Sequence, residues 1–291
     1  MLKDYDSAYE YCRKIALNHY ENFPVGSFLI PEDKRKYFYS VYAFSRFADD
    51  IADSVEYDEE NKLRKLEQLE TELDKLESGR AEEFAENTAD IFTALSDTVS
   101  NLNIPVHEFR DLLSAFKQDS VKRDYGNFKE LIEYSQRSAN PIGHLVLYIF
   151  GYDKKTNRKL FRDSDRICTA LQLTNFWQDV SEDLKIDRIY IPGNSMSEFN
   201  YNTDKLKNKI ENDDFRNMIR DLAGKTEKLF DDGSGIVSEL KGRLRLEIKA
   251  TIYGGREILS KIRKINYNVL SERVKLNTKD KIKILIKSLI K

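Results

Sequence analysis

The chain has 291 residues, 40% hydrophobic and 34% charged, with a formal net charge of −2. That composition excludes a disordered chain, and the near-balanced charge offers no electrostatic footing for nucleic acid. With 12 glycines and 5 prolines, turns are few, which argues against a many-stranded β fold.

Residues 4–22 read as a helix with Tyr5, Ala8, Tyr9, Cys12, Ile15 and Ala16 on one side, broken by Asn22-Phe23-Pro24-Val25-Gly26-Ser27. A second helix starts near Pro31-Glu32-Asp33, with proline and acids in its first turn, and runs to about Asp53. Residues 59–78 carry Leu63, Leu66, Leu69, Leu73 and Leu76 at helical spacing and stop at Gly79. Two more helices, 81–101 and 106–121, flank Asn103-Ile104-Pro105. A short helix over 128–138 is interrupted by Asn140-Pro141-Ile142-Gly143, and an apolar segment follows to Tyr152. A long helix spans about 155–184 and ends in an extended loop, Asp187 to Gly193. Residues 203–210, 213–231, 236–262 and 277–290 complete the series, with Asp231-Asp232-Gly233-Ser234-Gly235 read as a turn. Period-2 alternation is nearly absent, so the expected fold is all-α, one domain over residues 1–291.

Two helices carry the chemistry. On the first, Tyr42, Arg46, Asp49 and Asp53 follow i, i+4, i+7, i+11 and share a face, with Asp50 beside them. The preceding stretch is apolar, so Asp49 and Asp53 are expected to extend a buried stripe. On the second, Gln172, Asn175, Asp179 and Asp183 share a face among Leu171, Leu173, Phe176, Trp177 and Val180. Buried polar groups need partners. Magnesium takes one or two carboxylates plus water and substrate phosphates, so two carboxylate walls suit a magnesium–diphosphate site. Arg46 and Arg188 would take the remaining phosphate charge. An aromatic and aliphatic lining suits a long hydrocarbon. Ionising an allylic or cyclopropylcarbinyl diphosphate needs metals for the leaving group and a dry cavity for the cation.

Other features are plainer. Cys12 and Cys168 make no disulfide framework and lack metal spacing, which suggests a reducing, cytoplasmic setting. The first residues, Met1 to Asp6, have no apolar signal-like region, and no run of about 20 apolar residues is present to span a membrane. His19, His107 and His144 are too scattered for a triad or zinc site, and no nucleotide-binding glycine motif occurs. The basic, amphipathic stretch Lys279–Lys291 has two readings: peripheral contact with an anionic membrane at its inner face, or a last helix packed on the body with its lysines outward.

The segments YCRKIALNHYENF, LIPEDKRKYFYSVYAFSRFADDIAD, ALQLTNFWQDVSEDLKIDRIYIP and NYNVLSERVKL together resemble the squalene/phytoene synthase family over nearly the whole chain. The resemblance implies a single isoprenoid-synthase helical bundle with a central cavity, acting on an isoprenoid diphosphate with Mg²⁺. It implies Asp49, Asp53, Asn175, Asp179 and Asp183 as the magnesium–diphosphate residues, and Tyr42, Arg46 and Gln172 as substrate contacts. His19, Asn22 and Phe23 fall where the family's first helix meets the diphosphate and cavity; Arg188 and Tyr190 match the loop after the second motif.

Several positions depart from the condensing members. Gln136-Arg137-Ser138-Ala139-Asn140-Pro141-Ile142-Gly143 replaces an Ala-Gly-x-Val-Gly element; Glu21 replaces a lysine and Gln178 an arginine. Gly255 stands where a late tyrosine is expected, with Tyr253 close by. The Ser-Ala-Asn-Pro-Ile-Gly element and His-Tyr-Glu-Asn-Phe-Pro-Val look like the bacterial hydroxysqualene synthase branch. The implied reaction ionises presqualene diphosphate and captures water, with Asn140 a candidate to position that water. The alternative is a head-to-head prenyltransferase joining two farnesyl or geranylgeranyl diphosphates. Neighbouring enzymes of squalene biosynthesis are the partners such a role implies.

Overall fold

The computed structural model describes residues 4–18 and 30–289. In chain order the helices are α1 (Tyr5–Asn18), α2 (Glu32–Asp53), α3 (Glu59–Glu77), α4 (Ala89–Leu102), α5 (His107–Val121), α6 (Phe128–Ser138), α7 (Asn140–Ile149) and α8 (Arg158–Asp183). There follow α9 (Gly193–Glu198), α10 (Thr203–Lys207), α11 (Asp213–Gly233), α12 (Ile236–Glu239), α13 (Gly242–Lys264) and α14 (Thr278–Leu289). Among the described residues the only β pairing is an isolated parallel bridge between Asp124 and Ile189. The starts of many helices are written in the sequence as Asx caps. The side chains of Asp58, Asn127, Asn202 and Asn212 each accept the backbone N–H three residues on, at 2.8–3.1 Å.

Two compact units divide the chain: Met1–Val121 with Pro141–Arg158, and Lys122–Asn140 with Lys159–Lys291. In the first, α2 packs against α1, α3, α4 and α5. Phe44 of α2 is its hub, edge-on to Phe92 at 5.9 Å and to Phe109 at 5.2 Å. Leu66, Leu69, Leu73 and Leu76 of α3 are buried, as their spacing requires, and Leu63 is half-buried. Buried polar groups here are matched. Tyr9 Oη meets Asp97 and Thr98, and Glu108 takes the His144 ring nitrogen Nδ1 at 2.8 Å.

In the second unit α8 runs through the core, with Trp177 fully buried and its Nε1 donating to Thr226 Oγ1 of α11 at 2.8 Å. Two glycines set how closely α8 is approached. A Cβ on Gly233 would lie 2.9 Å from Asp163 O and 2.9 Å from Ile167 Cδ1. A Cβ on Gly255 of α13 would lie 2.5 Å from Phe230 Cζ and 2.9 Å from Leu171 Cδ2.

Four sequence expectations are corrected. The helix expected over 81–101 is a short 3₁₀ turn, Ala81–Glu83, then a non-helical link before α4. Side chains from α3 cause the break: Glu72 accepts the Ala85 N–H and Lys75 Nζ donates to Glu83 O, so this backbone is satisfied without helix. The helix over 128–138 ends at Ser138 as expected, but Asn140 to Gly143 is no loop; it is the first turn of a new helix, α7, with Pro141 where a missing N–H costs nothing. The Asp231–Gly235 segment is no turn at its start, since α11 continues through Gly233 and uses that glycine as its contact with α8. The 236–262 helix is also split, by extended Leu240 and Lys241 and by Gly242 at φ +58°.

Candidate active site

On α2 the apolar face buries Val41, Phe44, Ala48, Ile51 and Ala52, and the polar stripe lies beside it. Tyr42, Arg46 and Asp49 are half-buried to half-exposed, and Asp53 is exposed. The expectation of a buried carboxylate stripe is therefore not met, because a carboxylate keeps its water unless a cation replaces it. Arg46 Nη2 meets Asp50 Oδ1 at 2.6 Å and Nη1 lies 3.5 Å from Asp49 Oδ2. The Arg46 Nε is buried without a hydrogen-bond partner, a donor turned to no acceptor.

On α8, Gln172, Asp179 and Asp183 are half-buried while Asn175 is exposed, so Asn175 needs no internal partner. Asp179 is gripped at both oxygens by a residue not singled out from sequence. Arg273 Nε donates to Oδ1 at 2.6 Å and Nη2 to Oδ2 at 2.9 Å, a fork onto a carboxylate. The next residue is tied to the same helix, for Gln178 Nε2 donates to Val274 O at 2.7 Å. Gln178 thus fixes the backbone that presents Arg273. The signal for Arg273 was its position in the tail segment Asn266–Leu276.

Burial, and then the neighbouring Asp179 charge, push the Asp183 carboxyl up to about 7, against the pull of Arg188 and Arg273. The folded protein therefore holds this proton more tightly than the unfolded chain, whose group titrates near its ordinary 3.8. Stability from it is fully present below about pH 4 and is lost as pH rises toward 7. Asp183→Asn is expected to melt higher than the unsubstituted chain at pH 8, by about 2 kcal/mol in stability, in metal-free buffer. The advantage shrinks as pH falls to 4; melting curves across pH check it, and a pH-independent difference would refute it.

The loop after α8 is held in place by its backbone. Arg188 N–H donates to Asp183 O at 2.9 Å, Ile189 N–H to Arg123 O at 2.7 Å, and Gly193 N–H to Tyr125 O at 2.9 Å. Tyr190 stacks on Phe176 with centroids 3.9 Å apart and also lies against Tyr125 and Tyr134. Asn140 is buried, 5% exposed, and its Oδ1 accepts from Thr169 Oγ1 of α8 at 3.0 Å. His19, Asn22, Phe23 and Glu21 lie outside the described residues.

Magnesium prefers hard oxygen ligands and retains several waters. Asp49 and Asp53 on α2, and separately Asn175, Asp179 and Asp183 on α8, each have that chemistry, and the exposed Asp53 and Asn175 have room for water. Among the described residues no three Asp, Glu, His or Cys side chains converge as a protein-only cage. An ion that shares its shell with a diphosphate fits the oxygen donors of each helix taken by itself, and the orphaned Arg46 Nε fits an anionic oxygen.

Residues 16–280 match the profile of the squalene/phytoene synthase family. The chain belongs to that family. As a squalene/phytoene synthase it is an isoprenoid diphosphate enzyme with an all-α isoprenoid-synthase fold. It is 34% identical over 267 residues to the hydroxysqualene synthase of Sinorhizobium fredii, covering 91% of this chain and 86% of that one. To the 15-cis-phytoene synthase of Synechococcus elongatus it is 27% identical over 286 residues, 95% of this chain and 91% of that one. Among solved structures, squalene synthase HpnC from Alicyclobacillus acidocaldarius superposes with a TM-score of 0.83 at 35% identity, covering 91% and 96% of the two chains. A ligand-bound dehydrosqualene synthase superposes with a TM-score of 0.84 at 25% identity, covering 98% and 96%.

Proposed function

We propose that this family member is a hydroxysqualene synthase, converting presqualene diphosphate and water to hydroxysqualene and diphosphate. The observation that carries the reading is the gap in similarity. Identity is 34–35% to the hydroxysqualene synthase and to HpnC, against 25–27% to the dehydrosqualene synthase and the S. elongatus phytoene synthase.

In this reading Asp49, Asp53, Asn175, Asp179 and Asp183 hold Mg²⁺ with the diphosphate. An Mg²⁺ ion held there would supply Lewis-acid charge for the diphosphate leaving group. Arg46 and Arg188 take up charge on its free oxygens, and Tyr42 and Gln172 orient it. The C–O bond breaks with its electron pair leaving on diphosphate, and the cyclopropylcarbinyl cation rearranges. The Phe176–Tyr190 stack gives the hydrocarbon a polarisable wall and excludes bulk water. Asn140, aligned by Thr169, holds the one water that adds to the cation. That oxygen forms the new C–O bond and sheds a proton, so no reductant is consumed.

Purified protein with Mg²⁺ and presqualene diphosphate, without reductant, is expected to release hydroxysqualene. Presqualene diphosphate or a C40 hydrocarbon accumulating from farnesyl or geranylgeranyl diphosphate would instead support the head-to-head prenyltransferase reading.

A further inference from the structure

The C-terminal helix carries an apolar face that neither the body nor the proposed chemistry uses. α14 packs on α13 through Ile284 and Ser288, which are buried, and through Asp280, whose Oδ2 meets Lys261 Nζ at 2.7 Å. At about 100° per residue, Ile282, Leu285, Ile286 and Leu289 fall within an arc of about 100° on the side away from that contact. They are 54%, 37%, 53% and 62% exposed. Eleven large hydrophobic side chains are exposed among the described residues, and four of them form this one stripe. The stripe is therefore a designed surface and not scattered surface apolarity.

The charges of α14 that flank it are of one sign, and Lys283 also lies 3.9 Å from Glu257 Oε2 of α13. Lys279, Lys283 and Lys287 flank the stripe on one side and Lys281 on the other, and all four are exposed. The single acid of the helix, Asp280, is turned inward and already paired. An apolar stripe with lysines on both flanks is the pattern of a helix lying in a lipid interface, its side chains in the acyl boundary and its ammonium groups among anionic headgroups. A second copy of the chain is a poorer occupant, since pairing the same face brings lysine flanks together.

We propose that α14 docks the enzyme on an anionic bilayer surface through Ile282, Leu285, Ile286 and Leu289. The full chain is sedimented with phosphatidylcholine vesicles, with and without phosphatidylglycerol. Two variants accompany it: Ile282→Ser with Ile286→Ser, and Lys279→Gln with Lys281→Gln and Lys287→Gln. The unsubstituted chain is expected to partition at least about tenfold better onto the anionic vesicles. The isoleucine variant should lose about tenfold in that partitioning, and the lysine variant should lose the preference for anionic lipid. Unchanged melting temperatures would show that both variants, altered only at exposed positions, remain folded. Equal partitioning of the chain and its isoleucine variant overturns the proposal. So does a dimer by light scattering that the isoleucine substitutions dissociate, which would give the stripe to a second copy.

Discussion

Replacing Asp179 with asparagine is expected to lower kcat/KM by about 10²–10³-fold and to raise the Mg²⁺ concentration needed for half-maximal rate. The substitution keeps the shape of the side chain and removes only its charge. Asp179 lies one turn before Asp183, and Arg273 grips both its oxygens. The orientation of its carboxylate is thus set from outside α8. Loss of the Arg273 fork, with Arg273 itself partly exposed, should cost little stability. Asp163→Asn is the control. Asp163 sits on the same helix, is buried, and its carboxylate pairs with Lys159 and Arg166. Its substitution should lower the melting temperature and leave the Mg²⁺ dependence where it was. If Asp179→Asn kept its activity within tenfold, or if Asp163→Asn shifted the Mg²⁺ dependence equally, the assignment of the α8 wall would be wrong.

Gly255→Tyr is expected to destabilise the fold by about 3 kcal/mol or more, measured by urea denaturation. The glycine was legible from sequence only as a missing tyrosine. In the folded chain its hydrogen faces the Phe230 ring, where even a methyl carbon would stand 2.5 Å from Cζ. Phe230 is fully buried and has nowhere to retreat. Gly255→Ala should already be destabilising, since overpacking of about 1–3 kcal/mol exceeds or cancels the helix-propensity gain of about 1 kcal/mol. Adding Phe230→Leu to Gly255→Ala should recover part of the loss, because the two residues share one volume. A tyrosine variant as stable as the unsubstituted chain would show that this position opens freely, and the departure from the condensing members would then carry chemical meaning after all.

The two aspartate helices were legible because each writes its stripe within a single helix, where spacing alone decides the face. Arg273 was not, because its partner lies 94 residues earlier in the chain and no periodicity links them. Exposure was misjudged at Asp49 and Asp53 for a related reason. The apolar run before them defines the buried face of α2, but the carboxylates stand on the adjoining face, where Arg46 supplies only part of the countercharge. The break before α4 was hidden by good helix formers, Ala81, Glu82 and Glu83, while the Glu83 carbonyl and the Ala85 N–H are claimed by Lys75 and Glu72 of another helix. The helix breaks and Arg273 depend on groups brought from afar, which a reading along the chain does not see.

The close seating of α8 against its neighbours has a mechanical consequence. Gly233 meets it at Asp163 and Ile167, Gly255 at Leu171, and Thr226 at Trp177. Asp183 lies twelve residues beyond the Gly255 seat, about 18 Å along a helix that rises about 1.5 Å per residue. Over that arm a tilt of about 3° carries the carboxylate about 1 Å, a displacement that can cost about 10²-fold in rate. Glycines that never touch a ligand therefore act as the bearings of the helix, and wear at a bearing shows at the tip.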